Sequence, residues 1–229
     1  MHKFKIITAI MLLILLTTGF ITQKYALACE TVQFSEYKQV AANIFSSPGV
    51  ENVQGVLRSI AEGKQRVGST FGAMTASPKV VLVSTKDEAA GFGANSTASA
   101  HYTPMGTCIV LGPKGQNVDV AAHELTHAEI GHRVGWLRHL LEIPVWFNEG
   151  IALLVDHRKP FLIENIQLSQ EEVKAVKKLD TSRVFFAGEN IHKNYLASRL
   201  AVNEVEPSLL YEKLALIRDG ASFEDVFEM

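Results

Sequence analysis

The spacing of hydrophobic positions changes along the chain between helical and strand-like periods. Apolar residues of 34–66 recur at helical spacing, and Ser47-Pro48-Gly49 interrupts them, which predicts two short helices. The apolar runs 79–84 and 107–111 are typical of buried strands. Small and polar residues fill 89–106 between them, which predicts a loop.

The second half of the chain is predicted to be mainly helical. Residues 117–130 carry apolar side chains at core spacing, and Asn117 or Asp119 can cap the start of this helix. Further capping patterns precede residues 170 and 223, and residues 209–217 form an amphipathic segment that stops near Gly220. The expected fold class is α+β, with a small mixed sheet packed on helix 117–130, followed by a helical C-terminal half.

The helix 117–130 carries the sequence His123-Glu124-Leu125-Thr126-His127. Residues four apart lie on one face of a helix, about 6 Å along its axis, so the imidazoles of His123 and His127 can converge on one ion. This spacing predicts a zinc site. Glu124 lies one residue round the helix, where it can reach a water molecule on the metal, and we expect it to be the general base.

Glu149 is the candidate for a third zinc ligand. Pro144 marks the start of another helix, and Glu149 is the only carboxylate of the apolar run 146–155. A buried charge of this kind is normally paired or bound to metal. Three protein ligands leave a fourth position open for water, so we expect one catalytic Zn²⁺ per chain.

The two motifs together resemble those of the gluzincin zinc metallopeptidases of the peptidase-MA-like family. In that family the second motif reads W-[FL]-N-E-G-[FIL]-A and its Glu is the third zinc ligand, and residues 146–152 match it position by position. The resemblance implies a zincin-like fold and hydrolysis of peptide bonds. The G-x-M-E-N motif of the family's large aminopeptidases is missing from the sequence, which speaks against N-terminal trimming.

Weaker similarities extend the resemblance towards both ends of the core. Residues 194–198 resemble the segment that carries a tyrosine near the metal, which implies that Tyr195 stabilises the oxyanion, with His192 as the alternative. Residues 220–227 are similar to the end of these chains. By the same resemblance, strand 107–111 would form the rim of the substrate cleft. His101 and Tyr102 would then either contact substrate or face solvent in the preceding loop.

Other polar residues near the motifs lack ligand spacing. His132, His139 and His157 each stand alone, and we expect them on the surface. Asp156 follows Glu149 by seven residues, so it can orient a ligand imidazole or be an ordinary surface acid.

The first 28 residues have the pattern of an export signal. A positively charged start precedes the apolar run 6–21, and Ala26-Leu27-Ala28 fits a signal peptidase site. We therefore expect 1–28 to be a signal peptide or N-terminal anchor and 29–229 to be the metallopeptidase domain. Within that domain, 29–78 would be a helical N-terminal segment, which can also act as a prosegment, and 79–229 the catalytic core. The protein would be extracytoplasmic: secreted, periplasmic or membrane-anchored.

Cys29 and Cys108 are the two cysteines of the chain. Outside the cytoplasm they can form one disulfide, although Cys108 can equally be a small buried apolar residue. Cleavage after Ala28 would leave Cys29 at the N-terminus, where it can also carry lipid. The membrane would then be contacted through lipidated Cys29 or through the N-terminal segment.

The net charge of −2, without a basic cluster, gives no electrostatic basis for binding nucleic acid. The expected partner is a peptide or protein substrate, and the expected function is that of an exported zinc endopeptidase. One alternative is a non-catalytic zinc-binding envelope protein on the same scaffold, but the intact Glu124 favours the enzyme. An anchored lipoprotein with a structural metal would need a fourth ligand, for which no residue has useful spacing.

Overall fold

A computed structural model describes residues 24–228 and shows a mixed α+β fold. Its strands are β1 (Lys38–Ala41), β2 (Ile44–Ser46), β3 (Lys79–Leu82), β4 (Ala98–Thr103) and β5 (Gly106–Leu111). The helices of the N-terminal half are α1 (Lys24–Thr31), α2 (Val53–Phe71), α3 (Lys86–Gly91) and α4 (Val118–Val134). Those of the C-terminal half are α5 (Trp136–Glu142), α6 (Val145–Ala152), α7 (Gln170–Val176), α8 (Ser182–Phe185), α9 (Ile191–Ala201), α10 (Leu210–Arg218) and α11 (Phe223–Phe227).

The five strands form one mixed sheet in the order β1-β2-β3-β5-β4. The pairs β2–β3 and β3–β5 are parallel, whereas β1 and β4 pair antiparallel with their neighbours at the two edges. Helix α4 packs on one face of this sheet and contacts β4, β5, α2 and α6. The predicted α+β class, with a sheet against helix 117–130 and a helical C-terminal half, is therefore confirmed.

Helix α2 crosses α4 at a close approach. A methyl group at Gly63 would lie 2.9 Å from the amide nitrogen of Ala122, so only glycine leaves room for this crossing. The two helices and the sheet enclose the main apolar core, to which α4 contributes most of its length.

Several local predictions are confirmed. Strands occupy the two predicted apolar runs. Asn117 caps α4 by accepting a hydrogen bond from the Val120 amide. Ser169 and Glu172 form a capping box at α7, and Ser222 caps α11.

Two segments differ from the prediction. The first predicted helix, after residue 34, is instead the β1–β2 hairpin, so segment 29–78 is not entirely helical. The predicted loop 89–106 contains the end of α3 and the whole of β4. β2 pairs with the distant strand β3, and β4 pairs with β5 across a two-residue turn. In both cases the pairing overrides weak local propensity.

The other face of the sheet carries a smaller apolar layer with α1. A disulfide joins Cys29 at the end of this helix to Cys108 on β5, with the Cα atoms 6.1 Å apart. The sulfur of Cys29 is thus bonded within the chain and is not free to carry lipid. Of the predicted signal segment, residues 1–23 lie outside the described part and 24–28 belong to α1. No helix within residues 24–228 has the length and hydropathy of a membrane span.

Candidate metal centre

Helix α4 places His123 and His127 side by side. Their rings lie 4.7 Å apart between centroids, and both side chains are buried. The four-residue spacing on a capped, regular helix produces this arrangement, as the sequence predicts.

Glu149 reaches the same point from α6. Its Oε2 lies 3.3 Å from His123 Nε2 and 3.5 Å from His127 Nε2. All three candidate ligand atoms lie within 4.8 Å of one another. Pro144 precedes the helix and fixes its start, as the sequence predicts.

We call the side chains of His123, His127 and Glu149 the metal group, and their geometry fits a metal ion. Two ligands bonded tetrahedrally to zinc at about 2.0–2.1 Å lie about 3.3 Å apart, close to the distances from Glu149 to the two imidazoles. The buried Glu149 Oε2 has no hydrogen-bond partner among the described residues, and a cation would satisfy it. The buried group can therefore hold a metal ion.

Charges within the group stabilise one another. Burial by itself would raise the pKa of Glu149, but the charge of His127 and the contacts with both imidazoles lower it to about 2. Burial would likewise lower the pKa of His123, but contacts with Asp156 and Glu149 raise it to about 10. Glu149 is thus ionised, and a metal ion bound at this site would take the place of the protons on the two imidazoles.

Asp156 lies behind His123. Its Oδ2 is 3.5 Å from His123 Nδ1, at the outer limit of a hydrogen bond, and its carboxylate accepts hydrogen bonds from Arg158. Burial alone would raise the pKa of Asp156, but these bonds and the contact with His123 hold it below its usual range. Asp156 is fully buried, so the surface alternative is wrong. It lies in irregular chain beyond α6, which ends at Ala152, rather than on the same helical face as Glu149.

Glu124 is buried beside the three candidate ligands. Its Oε2 has no hydrogen-bond partner among the described residues, and burial raises the pKa of its carboxyl. A carboxylate with a raised pKa and a free oxygen next to a metal group can accept and return a proton.

Tyr195 enters the site from α9, with its ring centroid 6.5 Å from that of His123. Helix α9 can approach α6 this closely because of Gly150, where a methyl group would lie 2.5 Å from the Ser198 carbonyl oxygen. The glycine that follows Glu149 therefore positions the helix of Tyr195. His192 is exposed and its ring lies 5.8 Å from that of Phe161, away from the residues that line the cleft.

The structure adds a polar cluster that the sequence did not predict. The ring of His139 on α5 packs tilted against that of Tyr102 on β4, with centroids 4.0 Å apart, and Asn148 donates a hydrogen bond to the Tyr102 hydroxyl. The expectation of a surface His139 is wrong, since it is only 8% exposed and lines the cleft. Neither Tyr102 nor His139 has a spacing signal in the sequence, because the cluster forms only where β4 meets α5 and α6 in the fold. His132 and His157 are exposed, as predicted.

A cleft of about 670 Å³ opens above the candidate ligands. Its upper wall is β4, which carries His101 and Tyr102, so these residues do not lie in a solvent-facing loop. The rim predicted at 107–111 is wrong: β5 pairs with strands on both sides, and β4 is the edge strand.

Comparison with known proteins gives no further guide: no family model matches the chain, and neither a curated protein nor a solved structure is significantly similar to it.

Proposed function

We propose that the protein is an exported zinc-dependent endopeptidase of the gluzincin type. The observation that carries the proposal is the buried group of His123, His127 and Glu149, which opens onto a large cleft with the unpartnered carboxylate of Glu124 beside it. Two imidazoles and one carboxylate, with a fourth position open, are the ligands of many catalytic zinc sites. Bound zinc supplies Lewis-acid chemistry, because it makes water acidic near neutral pH and polarises a carbonyl.

Residues of the chain provide the proton transfers and the orientation. Glu124 accepts a proton from the attacking water and returns it to the departing amine, and its raised pKa suits both steps. Burial raises the pKa of Tyr195, which keeps its hydroxyl protonated as a donor to the carbonyl oxygen. Asp156 holds the ring of His123 from behind.

The edge strand β4 offers a binding surface for an extended peptide. In its ladder with β5, the two-residue turn after Thr103 makes Thr103, His101 and Ser99 the hydrogen-bonded positions. The backbone groups of Ala98, Ala100 and Tyr102 therefore point away from β5. A substrate chain can pair with them as an added strand above the metal group.

Export is proposed on two grounds. The N-terminal sequence has the pattern of a signal, and the Cys29–Cys108 disulfide suits an oxidising compartment.

The test is zinc quantification combined with a peptide-library digest of wild type, Glu124→Gln and Glu149→Ala. We expect one zinc per wild-type chain and cleavage within peptides. Glu124→Gln should keep the zinc and lose about 10²–10⁴-fold in rate, because it preserves shape but deletes the base. Glu149→Ala should lose most of the zinc.

Full zinc occupancy in Glu149→Ala would remove that residue from the ligand set. Wild-type cleavage by Glu124→Gln would overturn the mechanism. If wild type binds zinc and cleaves nothing, the alternative of a non-catalytic zinc-binding envelope protein stands instead. The burial of Glu124 without a partner argues against that alternative, because a scaffold gains nothing from this cost.

A further inference from the structure

Helix α5 exposes an unusual number of large apolar side chains beside the cleft. The exposed fractions are 37% for Trp136, 56% for Leu137 and 67% for both Leu140 and Leu141. Contiguous exposed apolar surface of this kind marks a binding site more often than a scattered single residue does.

Only one face of α5 belongs to the cleft. Trp136 and Leu140, four residues apart, line it together with Ile143 just beyond the helix, whereas Leu137 and Leu141 do not. The Tyr102–His139 ring pair lies in the same part of the wall. We call the apolar surface of Trp136, Leu140 and Ile143 the α5 subsite.

Charge around the α5 subsite is sparse. No Lys or Arg of residues 24–228 lines the cleft, and besides Glu124 and Glu149 the one further carboxyl side chain among its described lining residues is Asp180. Asp180 is exposed, so solvent screens its attraction for a basic group. The wall therefore offers apolar contact rather than a charged partner.

We propose that the α5 subsite binds a large apolar side chain of the substrate, next to the peptide bond held at the metal group. The inference rests on the proposed peptidase function and narrows its substrates to extended polypeptides with leucine- or phenylalanine-sized residues at this position. Such segments are buried in folded proteins and become accessible when a chain is unfolded or cleaved.

The experiment compares peptides that are identical except for Leu, Phe, Ser or Lys at one position beside the cleaved bond. Wild type, Leu140→Ser and the control Leu141→Ser are each assayed after their zinc content has been measured. Leu141 is a matched control, since it has the same exposure on the same helix but lies outside the cleft. We expect wild type and Leu141→Ser to prefer Leu or Phe over Ser by about 10- to 100-fold in kcat/KM. Leu140→Ser should reduce this preference to a few-fold, with unchanged zinc.

Equal cleavage of all peptides by wild type would overturn the inference, as would equal losses in Leu140→Ser and Leu141→Ser. A preference for Lys would assign the selectivity to Asp180. A wild-type dimer that dissociates in Leu140→Ser, measured by sedimentation, would make the surface an interface between copies of the chain.

Equilibrium binding of the same peptides to zinc-loaded Glu124→Gln separates this inference from the proposed function. Tighter binding of the Leu peptide without hydrolysis by wild type would keep the subsite and reject the peptidase. Equal binding of the Leu and Ser peptides would reject the subsite even if wild type cleaves them.

Discussion

Two buried glutamates on one helix have opposite surroundings. The carboxylate of Glu129 accepts hydrogen bonds from the backbone amides of Thr75 and Ala76 and from the Arg133 guanidinium. Glu124, five residues earlier, leaves one buried oxygen without a partner among the described residues. Since an unpaired buried oxygen costs free energy, the first glutamate is explained by structure and the second calls for a chemical role.

At the residue scale, we expect substitutions of Tyr195 and His192, the two candidates for the oxyanion donor, to affect catalysis differently. Tyr195→Phe should lower kcat and kcat/KM together by about 10²–10³-fold with zinc content unchanged, because the hydroxyl acts only as charge develops on the carbonyl oxygen. His192→Ala should stay near wild type, since His192 lies outside the cleft lining. Steady-state kinetics on one peptide measure both. The roles would be reversed if only His192→Ala showed the loss.

His139 gives a prediction about pH and stability. Burial, and next the charge of His127, lower the pKa of His139 from 6.5 to about 4. A group whose pKa is depressed on folding contributes stability that is complete above pH 6.5 and is lost as the pH falls to about 4. The contribution is at most about 3 kcal/mol.

His139→Phe keeps an aromatic ring against Tyr102 but cannot titrate. In urea unfolding of the metal-free protein, the free energy of unfolding of wild type should therefore fall more steeply between pH 6.5 and 4 than that of His139→Phe. Parallel pH profiles for the two proteins would show that His139 is not held in its neutral form.

At the scale of elements, sequence patterns predicted the helices and strands whose start signals and periodicity lie within one segment of the chain. The helix of His123 and His127 starts at its cap Asn117, and the helix of Glu149 starts after Pro144. Both signals lie in the local sequence, so the two helices and the candidate ligands on them were predictable. The edge strand β4 has small residues and forms only through its ladder with β5. The cleft wall and the contact between Tyr102 and His139 depend on that strand, and for this reason they could not be predicted.

The crossing of α2 and α4 can be tested with two glycines of one helix. Gly63→Ala should lower the free energy of unfolding by about 1–3 kcal/mol, because the added methyl group would meet the backbone of α4 near Ala122. Gly68→Ala is the control, since no atom lies within 4 Å of the added methyl group. It should stabilise the protein by up to about 1 kcal/mol, through the higher helix propensity of alanine. Urea denaturation measures both, and equal effects would mean that α2 does not approach α4 as described.

At the scale of the whole molecule, the disulfide fixes α1 to the face of the sheet opposite α4. Cys108 pairs across the ladder with His101. Where 1–28 is kept as an N-terminal anchor, the His101 ring also stacks on Tyr25 of α1, at 6.2 Å between centroids. Cys29 lies near the C-terminal end of α1. The disulfide therefore holds this helix against β5 and against β4, the upper wall of the cleft. The metal group lies on the opposite face, on α4 and α6, and is not attached to α1.

Removal of the disulfide should therefore affect stability and leave metal binding intact. The double variant Cys29→Ser/Cys108→Ser should lose about 2–4 kcal/mol of unfolding free energy, because the bond closes a loop between residues 79 apart and restricts the unfolded chain. Zinc content under native conditions should stay at the wild-type level. Wild type unfolded in urea in the presence of reductant is the control, and its free energy of unfolding should match that of the double variant. Thiol labelling of wild type denatured without reductant decides whether the disulfide exists. Two reactive cysteines would show that α1 is not covalently fixed. The double variant should then be as stable as wild type.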